Sequence, residues 1–264
     1  MLSDAEKSCA EWIAGRRLSG ASLVGMPATH RPASEAAAYR IQDFLRTRLG
    51  EAGYGPVVGW KIGVTTPQMR AHLGLEAPIA GVMHARGRRE PGVTLRATDF
   101  CRLGIECEVA MVLGAALGGA GTVSAEDAAR AVAAVHPAIE LVDDRYGGDY
   151  LGIGVPAIIA DFAFHAGFIL GPAVQDWRRI DLGAVKGVTR ANGVVRCEGF
   201  GRDVQGHPMM SLAWLANRVT ALGQRLEPGQ IVMTGSLPVP YWAAAGDAIE
   251  IEIEKLGRVS LNLA

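Results

Sequence analysis

Two glutamates two residues apart, Glu106 and Glu108, lie in the apolar run Leu103-Gly-Ile-Glu-Cys-Glu-Val-Ala-Met-Val-Leu113. On an extended strand side chains alternate between faces, so the pair shares one face about 6.6 Å apart. The opposite face carries Ile105, Cys107, Val109, Met111 and Leu113, and the glutamate face itself continues into Ala110 and Val112. The strand therefore reads as buried on both sides, where two carboxylates suffer desolvation and mutual repulsion together. A divalent cation removes both penalties. A third acid, Glu140, sits in another apolar strand, Val135-His-Pro-Ala-Ile-Glu-Leu-Val142, 140 − 108 = 32 residues after Glu108. Three carboxylates with open positions suit a hard octahedral ion, Mg2+ or Mn2+, and no His/Cys set competes for zinc. Asp143 and Asp144, nearer the strand end, are the alternative third ligands. A second Glu-x-Glu run, Glu250, Glu252 and Glu254, has a wholly polar acidic face followed by Lys255. It reads as an ordinary half-exposed strand.

Lys61 is the next residue whose surroundings could carry chemistry. In Val57-Val-Gly-Trp-Lys-Ile-Gly-Val64, one face holds Val58, Trp60, Ile62 and Val64, and the other holds Lys61 between Gly59 and Gly63. Glycine inside a strand marks close approach of a ligand or another backbone. The lysine there can bind a carboxylate or, with its pKa lowered, transfer protons; the alternative is an exposed strand lysine. Gly235-Ser236, after Ile231–Thr234, is a polar loop at a strand end. Asp161 and His165 stand four apart in an apolar segment, the spacing of a pair on one helical face, where a satisfied buried pair outweighs a catalytic one. Arg145 can face a substrate or pair with Asp143 or Asp144. No G-x-S-x-G, P-loop or G-x-G-x-x-G occurs.

The elements that must hold these residues begin with helices. Ser3 and Glu6 form a capping-box pattern, and Ser34 opens a second helix stopped by Gly50. From Val57 short strands divided by Gly, Pro and Asn take over. Thr66-Pro67 and Gly74 bracket a short helix, Ser124–Ala134 is another, and Pro208–Leu222 is a third, closed by Gly223. Ala191-Asn192-Gly193 marks a hairpin, and turns at Pro228-Gly229, Gly246-Asp247 and Gly257 divide the terminal strands. The expected fold is α+β: residues 1–55 a helical N-terminal region, and residues 56–264 a mixed, mainly antiparallel β body.

Composition bounds the function. The chain has 264 residues, 34 of them glycine, and a net charge of −1, so no basic surplus exists to bind a phosphate backbone. Nucleic acid is excluded as a partner. The stretch Leu151–Val174 imitates a membrane span, but Pro156, Asp161 and His165 interrupt it and a buried core segment is expected instead. Cys9, Cys101, Cys107 and Cys197 form no C-x-x-C pair and read as free thiols of a reducing cytosol. The N-terminus has no signal-peptide pattern.

Taken in order, Gly59-Trp-Lys61-Ile-Gly63-Val-Thr65, Ile105-Glu106-Cys-Glu108, Pro137-Ala-Ile-Glu140, Gly206-His-Pro208, Trp214-Leu-Ala-Asn217, Leu226-Glu-Pro-Gly229-Gln-Ile-Val-Met-Thr-Gly235 and Leu256-Gly-Arg-Val-Ser260 resemble the hydratase/decarboxylase branch of the fumarylacetoacetate-hydrolase superfamily, the 2-oxopent-4-enoate hydratases of aromatic meta-cleavage pathways. The resemblance spans nearly the whole chain. It implies a mixed β-roll of the C-terminal type of that superfamily, usually oligomeric, in the cytoplasm. It implies a divalent metal on Glu106, Glu108 and Glu140, an active-site Lys61, and substrate contacts from Gly235 and Ser236, with Arg145 and Asp161 as further candidates. The implied activity is a metal-dependent lyase hydrating a 2-hydroxydienoate or 2-oxo-4-enoate to a 4-hydroxy-2-oxo acid. Its substrate is a small 2-keto acid, and its partners are further copies of the chain and a sequential pathway enzyme. The alternatives are a decarboxylase of the 2-oxo-3-hexenedioate type, an acylpyruvate-type C–C hydrolase with His165 as base, and a non-catalytic metal-binding partner subunit. Two departures stand out. Many hydratases of the branch carry an acid in a Pro-Asp-aromatic-Gly stretch, where this chain reads Pro78-Ile79-Ala80-Gly81; the related decarboxylases read Pro-Ile-Tyr-Gly. Relatives usually show Ala-Asp-Asn where this chain has Ala160-Asp161-Phe162.

Overall fold

The computed structural model describes residues 2–264. Helices α1 (Asp4–Ser19) and α2 (Glu35–Leu49) come first, followed by β1 (Val57–Gly63), α3 (Pro67–Leu73), β2 (Ile79–His84), β3 (Arg88–Arg89), β4 (Thr94–Leu95) and β5 (Leu103–Leu113). Then come α4 (Ala125–Ala131), β6 (Val132–Asp143), α5 (Tyr150–Ile153), α6 (Val155–Ala160), β7 (His165–Leu170), β8 (Lys186–Ala191) and β9 (Val194–Phe200). Helix α7 (Pro208–Ala221) and strands β10 (Ile231–Ser236), β11 (Tyr241–Trp242), β12 (Ala248–Ile253) and β13 (Gly257–Leu263) complete the chain.

The helix starts follow local chemistry. Ser3 and Glu6 close a capping box on α1, Ser34 Oγ accepts from Ala37 N at 3.2 Å, and Ser124 and Asp127 cap α4 reciprocally. The ends are less local. Gly50 stays right-handed and the chain runs on through a π turn over Gly50–Tyr54, turning only at Gly53 and Gly55 with φ of +95° and +74°. The helix expected to Ala134 stops at Ala131, because Val132–Ala134 pair with β5 instead. Tertiary pairing there outcompetes the weak preference of a short alanine-rich helix.

Eight strands form one sheet in the order β2-β1-β10-β5-β6-β7-β3, with β11 also on β5; five form a second in the order β4-β13-β12-β8-β9. Pairing is antiparallel except β1 with β10, β3 with β7 and β4 with β13. The larger sheet curls until β2 meets β7, making a roll. Met83, Ala110, Ala138, Phe168, Ile231 and Met233 fill one end of its interior. The outer face, with Ile105, Cys107, Val109 and Met111, joins the main core, which also takes in Ile13, Ile41 and Leu45 of the first two helices. The acidic face of β5 therefore points into the roll, and its apolar face points out into the core. Leu151–Val174 folds into α5, α6 and β7, and no described helix is long and apolar enough to cross a membrane.

Candidate active site

Strand pairing assembles the acids. Glu106 lies directly opposite Glu140 across the β5–β6 ladder, and Glu108 lies one step deeper opposite Ala138. Each of the three carboxylates offers one oxygen within 4.8 Å of the others. Glu108 and Glu140 are completely buried, while Glu106 is partly exposed. Strand β10, hydrogen-bonded to the other side of β5, brings Gly235 N–H to Glu108 Oε2 at 2.8 Å. Glu140 Oε1 takes His165 Nδ1 at 2.9 Å and Lys61 Nζ at 3.2 Å. Lys61, 3% exposed, also donates to Ala163 O at 3.0 Å. Two oxygens in this nest, Glu108 Oε1 and Glu140 Oε2, are buried without a hydrogen-bond partner. Buried carboxylate oxygens left unpaired are costly, and a cation ligated by them answers the cost. The donor set is all oxygen, so the residues fit a hard divalent ion.

The electrostatics tell the same story. Burial and the nearby Glu140 push Glu106 up to about 7, against the pull of Lys61. Burial, with Glu140 and Glu106, pushes Glu108 well above the usual carboxylate range. Burial also opposes ionisation of Glu140, but the Lys61 ammonium and the His165 bond outweigh it and hold this acid low. Lys61 is the mirror image: burial favours the neutral amine, and Glu140, Glu106 and Glu108 overcome it, so the group stays an ammonium. Of the roles the sequence leaves open for Lys61, a charged group facing carboxylates is the one these surroundings favour. Three acids outweigh the desolvation of one base.

The glycines around Lys61 divide the labour differently from the expected slot. A Cβ on Gly63 would lie 3.4 Å from Lys61 Nζ, an ordinary van der Waals contact, so Gly63 lies beside the ammonium without being required by it. A Cβ on Gly59 would fall 1.9 Å from Ile231 O, so Gly59 is needed for contact with β10 instead. A bulge at Val58 also turns that side chain toward the cluster inside the roll, away from Trp60 and Ile62. Gly81, opposite Lys61 on β2, is the glycine the sequence reading missed. A Cβ there would meet Phe162 O at 2.5 Å, and this clearance lets the Phe162–Phe164 turn descend and present Ala163 O. Phe162, Ala163 and Phe164 all have positive φ (56°, 50° and 67°), a left-handed run that costs non-glycine residues of order 1 kcal/mol each. Gly81 inside a strand was its one local signal.

Other expected contacts resolve elsewhere. Asp161 is fully buried, with Oδ1 2.5 Å from Arg17 Nε and Oδ2 accepting from Tyr146 OH at 3.2 Å. Its carboxylate oxygens are thus turned to α1 and to the core, away from the three glutamates. His165 shares no helix with Asp161; it opens β7 and turns to Glu140. Ser236 Oγ donates to Pro238 O at 2.7 Å, and Gly235 serves a ligand acid through its N–H. A Cβ on Gly235 would meet Thr65 at 2.6 Å, which ties this loop to the end of the Lys61 segment. Arg145 is buried and donates to Ala21 O at 2.9 Å. Asp143 Oδ1 accepts from Arg102 N, and Asp144 caps the following turn through Tyr146 N and Gly148 N. Neither joins the three glutamates. Ile79 is buried at 1% exposure, so no acid stands at that position.

Known proteins agree with this architecture. Residues 62–263 match the fumarylacetoacetate (FAA) hydrolase C-terminal family. The chain is 34% identical over 246 residues to a 2-hydroxyhexa-2,4-dienoate hydratase of Comamonas testosteroni, covering 92% of each. It is 33% identical over 225 residues to a 4-oxalocrotonate decarboxylase of Pseudomonas putida, covering 85% of this chain and 84% of that one. The solved 4-oxalocrotonate decarboxylase of Pseudomonas putida G7, complexed with magnesium and adipate, superposes with a TM-score of 0.92 at 28% identity, over 100% of this chain and 99% of that one. The chain belongs to the FAA hydrolase C-terminal family.

Proposed function

We propose that this protein is a divalent-metal-dependent lyase of small 2-keto acids, hydrating a 2-hydroxydienoate or 2-oxo-4-enoate to a 4-hydroxy-2-oxo acid. The observation that carries the reading is the convergence of Glu106, Glu108 and Glu140, with two unpartnered buried oxygens, beside a buried ammonium. The relatives named above, which include a dienoate hydratase, support it. Mg2+ or Mn2+ is the ion that an all-oxygen donor set prefers. When bound, such an ion supplies Lewis-acid stabilisation of the negative charge that develops on the 2-oxygen of a chelating 2-keto acid.

The chain's own groups do the rest. Lys61 attracts the substrate carboxylate into the roll, and its proton, retained by the surrounding acids, is available for delivery to the substrate carbon skeleton on ketonisation. The His165 bond fixes one oxygen of Glu140 and leaves Oε2 free. Gly235 N–H does the same for Glu108, leaving Oε1. The roll interior and the Phe162–Phe164 turn exclude bulk water from Lys61 and Glu140, which strengthens every charge interaction there. We take the active form to be a cytoplasmic homo-oligomer, working with the enzyme before or after it in aromatic catabolism.

A second reading, decarboxylation of a 2-oxo-3-enedioate, draws on Ile79, which stands where many hydratases of the branch carry an acid and the related decarboxylases do not. Both reactions would use the same charge stabilisation at the 2-oxygen, from an ion held by Glu106, Glu108 and Glu140. Assay of purified enzyme with Mg2+ on a 2-hydroxydienoate and on a 2-oxohexenedioate decides between them: hydration without CO2 release is expected, and CO2 release from the diacid alone selects the decarboxylase. Full turnover by Glu106→Gln in EDTA would sink both.

A further inference from the structure

We infer that the protein carries a second ligand site, for a small organic dianion, in a basic cavity on the far side of His165 from the three glutamates. The inference does not depend on the proposed reaction. The cavity holds about 550 Å3, within the roughly 300–1,000 Å3 range of small-molecule sites. Arginines from four segments reach it: Arg17 at the end of α1, Arg86 and Arg89 after β2, Arg96 after β4, and Arg145 after β6.

Two of these charges are spoken for. Arg17 pairs with Asp161, and Arg96 with Asp99 at 2.8 Å. The other three have no carboxylate partner among the described residues. Arg86 lies over the Tyr54 ring at 5.0 Å, Arg89 donates to the carbonyls of Arg86 and Arg88, and Arg145 donates to Ala21 O while its Nε has no partner at all. Backbone carbonyls and a ring face orient a guanidinium without neutralising it. Asp143 is the one unpaired carboxylate in the wall, and it is occupied with Arg102 N at 2.8 Å. Three guanidiniums against one carboxylate leave the wall net positive by two, in a chain whose net charge is −1. A concave wall of one sign focuses its field, and guanidinium forks favour carboxylate and phosphate oxygens. Tyr54, Phe100 and Phe162 supply apolar wall, which suits an organic dianion such as a dicarboxylate or a phosphate ester better than a bare ion.

The cavity is separate from the acid cluster because the His165 ring stands between them. Nδ1 faces Glu140 at 2.9 Å, and Nε2 is on the side of Gly87, where a Cβ would come within 3.5 Å of it. Gly87 lines the cavity.

The test is calorimetric titration of succinate, and separately inorganic phosphate, into the EDTA-treated full-length protein. Saturable one-to-one binding is expected for at least one probe, weakened about tenfold or more in Arg86→Gln/Arg89→Gln and by added salt, and unchanged in Glu108→Gln. Tighter succinate binding assigns a dicarboxylate, and tighter phosphate binding a phosphate ester. Arg86 is exposed, so Arg86→Gln alone keeps the test valid if the double variant melts early. Absence of saturation by about 10 mM, equal binding by the double variant, or binding that appears only with Mg2+ overturns the inference.

Discussion

Strands β5 and β12 each carry glutamates two residues apart, and they have opposite fates. On β12, Glu250 and Glu252 sit on the outward face of the smaller sheet, half-exposed, and Arg190 and Arg258 answer them across neighbouring strands at 2.9 to 3.8 Å. On β5, Glu106 and Glu108 point into a roll where, among the described residues, the one ammonium within reach, Lys61, is shared with Glu140. Hydrogen bonds from Arg258 and Arg190 hold Glu252 below its ordinary value; burial holds Glu108 well above it. One spacing thus yields a stabilised surface pair or a destabilised interior cluster, and only the second creates a demand for a cation. The difference is one of surroundings, since the covalent pattern is the same.

The comparison is broken most severely by Glu108→Gln. We expect loss of divalent binding by calorimetry and a fall in turnover of about a thousandfold or more. The metal-free variant should melt higher than metal-free wild type, because an acid that must take up a proton to be buried there has been replaced by a neutral amide. A lower melting temperature would contradict the account of the cluster.

Gly81→Ala comes next. The new methyl would push on the Phe162 backbone and lift Ala163 O from Lys61, at a cost of about 1–3 kcal/mol in chemical denaturation, with turnover falling as well.

A milder probe is pH. Glu106 has its folded pKa raised to about 7 from an ordinary 4.5, so the folded metal-free protein binds the extra proton between those values. Stability contributed by the protonated acid is complete below pH about 4.5 and is lost as pH rises through about 7. The melting temperature of EDTA-treated protein should fall across that window, and saturating Mg2+ should flatten or reverse the trend, since metal ligands bind deprotonated. A rising curve without metal would refute it.

The smallest effect belongs to Glu252→Gln, which should leave metal affinity and turnover unchanged and the melting curve nearly so.

The sequence alone carried a good part of this. Alternation along Leu103–Leu113 identified a strand buried on both faces, and with it two of the acids. Caps at Ser3, Ser34, Thr66 and Ser124 located helix starts, because a cap is a contact made within three residues. The environments of the two Glu-x-Glu runs were legible from their neighbours, since burial leaves a mark on every other residue of a strand.

What the sequence left open were contacts between distant segments. The opposition of Glu106 and Glu140 is a matter of register between β5 and β6, which local pattern constrains but does not reveal. The partner of Asp161 lies 144 residues away on α1, and that of His165 is Glu140, not the acid four residues before it. Gly59 and Gly63 look alike on paper, yet Gly59 admits a neighbouring backbone that no side chain would allow, while at Gly63 a side-chain carbon would make only ordinary contact with the ammonium. Lys61 reads as a free base or a surface charge until three acids are placed around it, and then Coulomb attraction outweighs burial. Residue types and their periodicity determined which groups are buried and which strands carry them. The curl of the sheet decided which of those groups meet, because pairing energy and close packing act between segments that the order of residues does not place together.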